Sequence, residues 1–519
     1  MSRTAWLLAA LALVFMLLML PRSPLPWLDE ILLSSTCSSI LRGGPTVPTV
    51  MGAFPHTSRM DLFYGPVGFF LGCWDMELLG LSLAGWRVIG FLGAVGAVFS
   101  SAWVSRRLDR SWVAAACSAM FVALSQGMGA RATCGRLDTV TVTLEMLSLA
   151  SALCAMRAQV SRWTATVYGA AAGILCGTAA LSTPRAFPFV LGLGLAVALE
   201  MVLKRSEESI FRGLIIGAFA LFPVWLWTYR QGLSPLSWLR YILATSKGDK
   251  LSSSPMLHGS WHLLDEPLIP LLSGFLVILL TILVLGWTVC RSRERDDDFG
   301  EVRFASIVVV TNYAATFLTI ARFWDYEIFV VPLVLPVLVA ATVKMMRGSG
   351  SRSFQFLMTG SWLVVLVFLL GVRTGKIVGW MASYSERDPR PLQTFVTEKV
   401  PRNSYVFGPE DNYFYAVESA GSHYRFVRPT LTAGLVSPLD QLPDWQDLVK
   451  TGETVYLIWP TGSTLPHGLG GATLRLEQSI SFKPKKQSWW SRFGWASGYP
   501  ATSLYRVLEP ESSGNERSQ

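Results

Sequence analysis

Two adjacent carboxylates, Asp29 and Glu30, stand just beyond the first apolar run, in Trp27-Leu28-Asp29-Glu30. A carboxylate held at a membrane surface can serve as a general base. The pair also has a local use: if Glu30 begins a helix, Asp29 sits where an N-cap belongs. Neighbouring helical residues point about 100° apart, so only one of the two can face a given substrate atom. A second group opens a later apolar run, Arg131-Ala-Thr-Cys-Gly-Arg136-Leu-Asp138. On one continuous helix Arg131, Asp138 and Glu145 are seven apart and share a face. Glu145 then lies about 10 Å below Asp138. An ionisable group at that depth faces the bundle interior, a wet cavity or a buried polar partner. Arg136 points elsewhere if the helix has already begun there.

Further cations stand at or near the ends of other apolar runs. They are Arg185 in Thr-Pro-Arg, Arg240, and Arg322 in Ala-Arg-Phe-Trp-Asp-Tyr, which ends at Tyr326. A guanidinium fork suits phosphate oxygens, although each arginine alone also reads as a snorkelling anchor. Cations and carboxylates together describe an anion-plus-base site at a lipid boundary. The stretch 56–66, with His56, Arg59, Asp61 and Tyr64, adds polar groups there. His56 reads equally well as a solvated loop histidine.

What must position these residues is a set of membrane spans. The 519 residues are 51% hydrophobic and 15% charged, with a mean hydropathy of +0.41. A soluble chain carries about 25% charged residues. The net charge of +9 sits in short loops between apolar runs, as expected for cytoplasmic loops of a membrane protein, and this argues against nucleic-acid binding. Eleven spans are expected, at 5–20, 86–105, 111–129, 136–156, 163–182, 186–203, 210–228, 267–290, 304–321, 327–346 and 354–373. The first reads as an uncleaved span, because no small-x-small site follows it.

One further apolar stretch, 66–80, contains Asp75 and Glu77. If it does not cross, the basic loops at 106–110, 157–162, 204–212, 291–303 and 344–352 all fall on the cytoplasmic side with Arg3. It is therefore expected to lie in the outer interface with its acids near the headgroups. The outer face then holds 21–85, 229–266 and everything beyond about 374. The chain divides into a transmembrane domain over 1–374, a small α/β domain over 375–510 outside the cytoplasm, and a disordered tail over 511–519. Within the α/β domain, helices are expected at 392–399 and 410–420, the second closed by Gly421. Strands are expected at 404–408, 454–459, 474–482 and 503–508. Lys483 to Trp495 interleaves basic and aromatic residues, which suits a membrane interface or a sugar surface, or a loop folded onto its own domain. Seven cysteines show neither metal spacing nor a disulfide framework. Cys37 and Cys134 can face the same compartment.

The ordered motifs resemble a known superfamily. Asp29-Glu30 after the first span looks like the Asp-Glu motif of protein O-mannosyltransferases and aminoarabinose lipid A transferases. Phe63-Tyr64-Gly65-Pro66-Val67 through Gly80 and Trp86-Arg87-Val88-Ile89-Gly90, then Gly135-Arg136-Leu137-Asp138, and then Arg322 to Pro336 with Pro332, look like the later motifs in order. The resemblance runs over 1–345. It implies an α-helical integral membrane protein of the GT-C glycosyltransferase fold with about 11 transmembrane helices and a small C-terminal α/β extracytoplasmic domain. It also implies transfer of a sugar from a polyprenyl-phosphate-linked donor to a lipid, glycan or protein acceptor at the outer face, usually with inversion. In that reading Asp29 is the base, helped by Glu30. Arg136, Arg185 and Arg322 are the donor-phosphate candidates, with Asp138, Arg131, Tyr326, Tyr64 and His56 around the substrate. No cofactor is required, and a divalent metal is not indicated. The expected partners are the donor, membrane lipids and an unidentified acceptor. The expected location is a bacterial inner membrane with the C-terminal domain in the periplasm. Gly43-Gly44-Pro45 and Pro48 depart from the longer helix expected in the first loop. The alternative is a non-catalytic subunit of the same scaffold that binds lipid or a partner complex. A transporter is disfavoured, because only Glu145 lies deep.

Overall fold

The computed structural model describes residues 2–22, 28–44, 65–157, 160–248, 297–319, 327–348, 351–382, 384–409, 411–426, 445–463, 473–481 and 499–508, with residues 26, 50, 62, 279, 282 and 465 besides. The chain divides into two compact units. The first comprises 1–18, 61–69 and 89–374, and the second 19–60, 70–88 and 375–519.

The first unit is helical, as uninterrupted apolar runs in lipid must be: only a helix satisfies every backbone group within its own segment. Among the described residues eight helices are long and apolar enough to cross a bilayer. They include α1 (Ser2–Met19), α4 (Leu83–Asp109), α7 (Asp138–Ala155), α8 (Arg162–Ser182), α9 (Phe187–Lys204, entered through a 3₁₀ turn at Pro184–Ala186) and α10 (Glu207–Arg230). The others are α13 (Val331–Gly348) and α14 (Arg352–Ala382). Between them lie α2 (Leu28–Leu41), α3 (Pro66–Leu79), α5 (Trp112–Leu124), α6 (Gln126–Arg131), α11 (Pro235–Gly248) and α12 (Asp297–Thr319). Of the expected span at 267–290 only residues 279 and 282 are described.

Small residues set the helix contacts. Gly169, Gly173 and Gly177 recur every fourth residue on α8, and a Cβ at Gly173 or Gly177 would run into the backbone of α10 at Ile216 and Ala220. Gly192 of α9 likewise meets the Val308 carbonyl of α12. Close backbone approach substitutes here for hydrophobic burial, which lipid does not reward. The loops expected on the cytoplasmic side are stitched by ion pairs: Arg157–Glu301 at 2.5 Å, Arg303–Glu200 at 2.6 Å and Arg347–Asp109 at 3.1 Å.

Four expectations need correction. The run at 111–129 is two helices, because Ser125 adopts an extended ψ of 145° that ends α5 and turns the chain into the short α6. Arg131 therefore closes α6, Gly135 takes the turn with a φ of +67°, and α7 begins only at Asp138. The single helical face through Arg131, Asp138 and Glu145 does not exist, although Asp138 and Glu145 remain on one helix. On α3 the exposed positions Phe70, Trp74 and Leu78 form an apolar stripe, and Glu77 is exposed, but Asp75 is buried rather than turned to the headgroups. Cys37 forms a disulfide with Cys73, and Cys134 is a buried free thiol. The bridge ties α2 to α3.

The second unit carries a five-stranded mixed sheet, β1 (Tyr405–Gly408), β2 (His423–Phe426), β3 (Val455–Pro460), β4 (Thr473–Ile480) and β5 (Thr502–Leu508), in the order β2-β1-β3-β5-β4. β1 pairs parallel with β2 and β3, and β5 pairs antiparallel with β3 and β4. β3 is buried at five of its six positions, as a central strand should be. Helices α15 (Arg390–Lys399), α16 (Phe414–Ser419) and α17 (Trp445–Lys450) accompany the sheet. Gly421 closes the α16 turn at a φ of +84°. Strand β2 and helix α17 were not expected from the sequence. The basic-aromatic segment Lys483–Trp495 and the tail 511–519 lie outside the described residues.

Candidate functional site

The first unit gathers the charged residues of the Arg131–Asp138 stretch around one carboxylate. Asp138 is the first residue of α7, where a negative charge meets the positive end of the helix dipole. Arg136 Nε lies 2.9 Å from Asp138 Oδ2, Arg131 Nε 3.9 Å from the same oxygen, and Arg185 Nη1 3.7 Å from Oδ1. Asp138 and Arg136 are each about 5% exposed, while the Arg185 side chain keeps 22% of its surface. Three guanidinium groups thus converge on one carboxylate at the start of a helix, and guanidinium forks gathered in this way suit phosphate oxygens.

The backbone around the cluster is held by close contacts. Gly90 of α4 packs against the carbonyls of Arg131, Ala132 and Arg136. Thr139 donates to the Gly90 carbonyl at 2.6 Å, and Thr143 to the Gly93 carbonyl at 2.6 Å. Gly68 of α3 meets Leu137 and the Ser182 carbonyl, and Gly65, at a φ of +86°, lies against Leu181. Arg185 is placed by the 3₁₀ turn, where Thr183 Oγ1 accepts from the Arg185 N–H at 3.4 Å. One turn pair deeper on α7, Glu145 is fully buried and neither carboxyl oxygen has a hydrogen-bond partner. The expected buried partner on another helix is absent among the described residues.

The second unit holds the other half of the sequence reading. Asp29 lies in the first turn of α2, but its side chain is outside the described residues. Glu30 is fully buried and clamped by Arg87, with Arg87 Nε to Oε1 at 2.7 Å and Nη2 to Oε2 at 2.8 Å. A carboxylate held on both oxygens by one fork is firmly anchored. Arg387 lies near that pair. Burial first, and then the Arg87 charge, bring its guanidinium down to about 10. Tyr415 and Tyr499 are packed beside the same pair, and burial pushes both phenols above their ordinary range.

The far end of α2 is fixed as well. Arg42 pairs with Glu418 at 2.8 Å and donates to His423 Nδ1 at 3.1 Å, and Ser38 Oγ donates to Glu418 at 3.4 Å. Arg22, at the chain's entry to α2, pairs with Asp388 at 3.1 Å. The helix that carries Asp29 is thus held by an ion pair at each end and a disulfide between them. Sequence reasoning missed Arg87, Arg42 and Glu418, because their partners lie far away in the chain and no local spacing marks them.

Tyr64, His56, Arg322 and Tyr326 lie outside the described residues. Arg240 is exposed on α11. No group of three or more His, Cys, Asp or Glu with metal-binding geometry occurs among the described residues.

No protein-family profile matches the sequence, and no curated protein matches it in sequence. Its fold does match solved structures. ArnT from Cupriavidus metallidurans bound to undecaprenyl phosphate aligns with a TM-score of 0.60 at 13% identity, over 96% of this chain and 97% of that one. The apo state of the same ArnT aligns at 0.57 and 13% identity over 98% of each chain. The oligosaccharyltransferase AglB from Archaeoglobus fulgidus, in complex with an inhibitory peptide and a dolichol-phosphate, aligns at 0.49 and 14% identity over 88% of this chain and 69% of that one. The chain is an integral membrane protein of the GT-C fold, carrying a small C-terminal five-stranded sheet.

Proposed function

We propose that the chain transfers a sugar from a polyprenyl-phosphate-linked donor to a lipid, glycan or protein acceptor at the outer face of a bacterial inner membrane. The observation that carries this reading is the gathering of three guanidinium groups within 4 Å of Asp138, in a chain whose fold matches ArnT bound to undecaprenyl phosphate. Arg136, Arg131 and Arg185 take the donor phosphate, and Asp138 holds their forks in register when no donor is bound. Asp29 is the base. The acceptor's oxygen or nitrogen attacks the anomeric carbon as the bond from that carbon to the phosphate oxygen breaks. The proton passes to Asp29, and the polyprenyl phosphate leaves with the bonding electron pair. A single displacement inverts the anomeric centre. Guanidinium groups aimed at the leaving phosphate stabilise the charge that develops there.

The Cys37–Cys73 bridge supports the placement, because disulfides persist in oxidising compartments such as the periplasm. The test is transfer in proteoliposomes loaded with a polyprenyl-phosphate sugar and a membrane extract, reading release of free polyprenyl phosphate. Wild type turns over, and Asp29→Asn loses activity by on the order of 100-fold or more. Full activity in the variant removes Asp29 as the base. No release by the wild type with any donor favours the non-catalytic alternative.

A further inference from the structure

Arg373, near the end of α14, is 4% exposed, and none of its three guanidinium nitrogens has a hydrogen-bond partner. No carboxylate pairs with it among the described residues. A buried guanidinium left bare is costly, because its full desolvation penalty is unrepaid, and such groups call for a partner from outside the chain. Its Nη1 lies directly over Gly129 of α6, where any Cβ would overlap it. Glycine at that position is what admits the guanidinium.

A second polar group waits on the same face. Gln126 stands three residues before Gly129 on α6, about 60° away around the helix, and its buried Oε1 also has no partner. The orientation of a glutamine amide is assigned from its neighbours, so this group offers either an acceptor or an N–H donor. Arg131 follows Gly129 by two residues, about 200° around α6, so its side chain leaves from the opposite face. The Arg373 position is therefore separate from the cluster at Asp138.

We infer that Arg373 and Gln126 form a second anion site, which takes the phosphate of a membrane lipid. A guanidinium fork matches two phosphate oxygens, and an amide N–H can meet a third. The lipid source follows from α14 itself. None of its most apolar window is buried, and Leu363, Val364 and Val367 are 58%, 70% and 62% exposed. These residues stand about 80–180° around α14 from Arg373, so the helix that holds the guanidinium borders hydrocarbon on its other faces, and lipid is the phosphate source beside it. The lipid is a polyprenyl phosphate or an anionic phospholipid, whose phosphate chemistry is shared. The site does not depend on the transferase reading.

The experiment uses the full chain in lipid-free maltoside micelles, titrated separately with undecaprenyl phosphate, phosphatidylglycerol and inorganic phosphate, with bound lipid counted by native mass spectrometry. Arg373→Gln should lose at least tenfold in affinity for one of the two lipids. Gln126→Leu, which keeps the cation, should lose about threefold for the same lipid. Thermal melting gives an independent readout. Without ligand, Arg373→Gln should melt no lower than wild type, since it removes a bare buried charge; with the lipid present, wild type should melt higher than the variant. Unchanged affinity of Arg373→Gln for both lipids, or an effect confined to inorganic phosphate, would overturn the inference. Failure of the donor reading is distinguishable: it appears as unchanged undecaprenyl-phosphate affinity in Arg136→Ala, whatever Arg373→Gln does.

Discussion

Replacing Glu30 by Gln tests whether that residue anchors structure or serves chemistry. The Glu30–Arg87 pair is fully buried, with two contacts at 2.7 and 2.8 Å. Charge centres about 4 Å apart attract by about 4 kcal/mol at an effective dielectric near 20. Removing one partner also strands the other, and such losses run at about 3–5 kcal/mol. Here Arg387 adds to the strain, because it already feels the Arg87 charge. Glu30→Gln should therefore lower the melting temperature by on the order of 10 °C. Arg87→Met should do the same. The double variant Glu30→Leu/Arg87→Met should recover most of the loss, because two apolar groups replace two charges. Differential scanning fluorimetry on all four proteins reads the cycle, and transfer assays on the same samples separate the roles. If the double variant regains stability but stays inactive, Glu30 serves the chemistry as well as the fold; if Glu30→Gln melts with the wild type, Glu30 is not the anchor argued here.

Other outcomes follow from the same structure. The Cys37–Cys73 bridge closes a separation of 36 residues, so Cys37→Ser should lose about 4 kcal/mol, read as a lower melting temperature that added reductant does not change further. Gly93 of α4 faces Val140 N at 2.6 Å from an added Cβ, so Gly93→Ala should push α4 from the start of α7, cost about 1–3 kcal/mol and weaken donor binding; wild-type donor affinity would show that this contact does not place Asp138. His423 is held below its ordinary 6.5 by burial, then by Arg42 and Arg425. Its stabilising contribution is complete above about 6.5 and is lost as pH falls from there through its folded-state value, because the unfolded chain takes the proton first. Melting of wild type should drop over that window relative to His423→Gln, and parallel curves would refute the assignment.

Much of this architecture is legible in the sequence, and the reasons are local. Apolar runs near Ser2–Met19, Leu83–Asp109 and Arg162–Ser182 become helices because lipid leaves the backbone no alternative. Tyr456-Leu457-Ile458-Trp459 announces β3 through its own β-branched and aromatic content. What stayed hidden depends on distance in the chain. The break at Ser125 has no proline to mark it, and the turn at Gly135 separates Arg131 from the helix of Asp138 while leaving the two 3.9 Å apart. Cys37 and Cys73 carry no spacing signature, and Arg87 meets Glu30 across 57 residues. Arg373 ends an expected span and drew no notice in the sequence; its burial and missing partners set it apart.

The central claim is that the arginines around Asp138 hold a lipid-linked phosphate. It is tested most directly by the affinity of the purified protein for undecaprenyl phosphate, measured for wild type and for Arg136→Ala. Loss of one charge-assisted contact of about 1.5–3 kcal/mol predicts a fall of about 10- to 100-fold. Equal affinity for the two proteins would contradict the account.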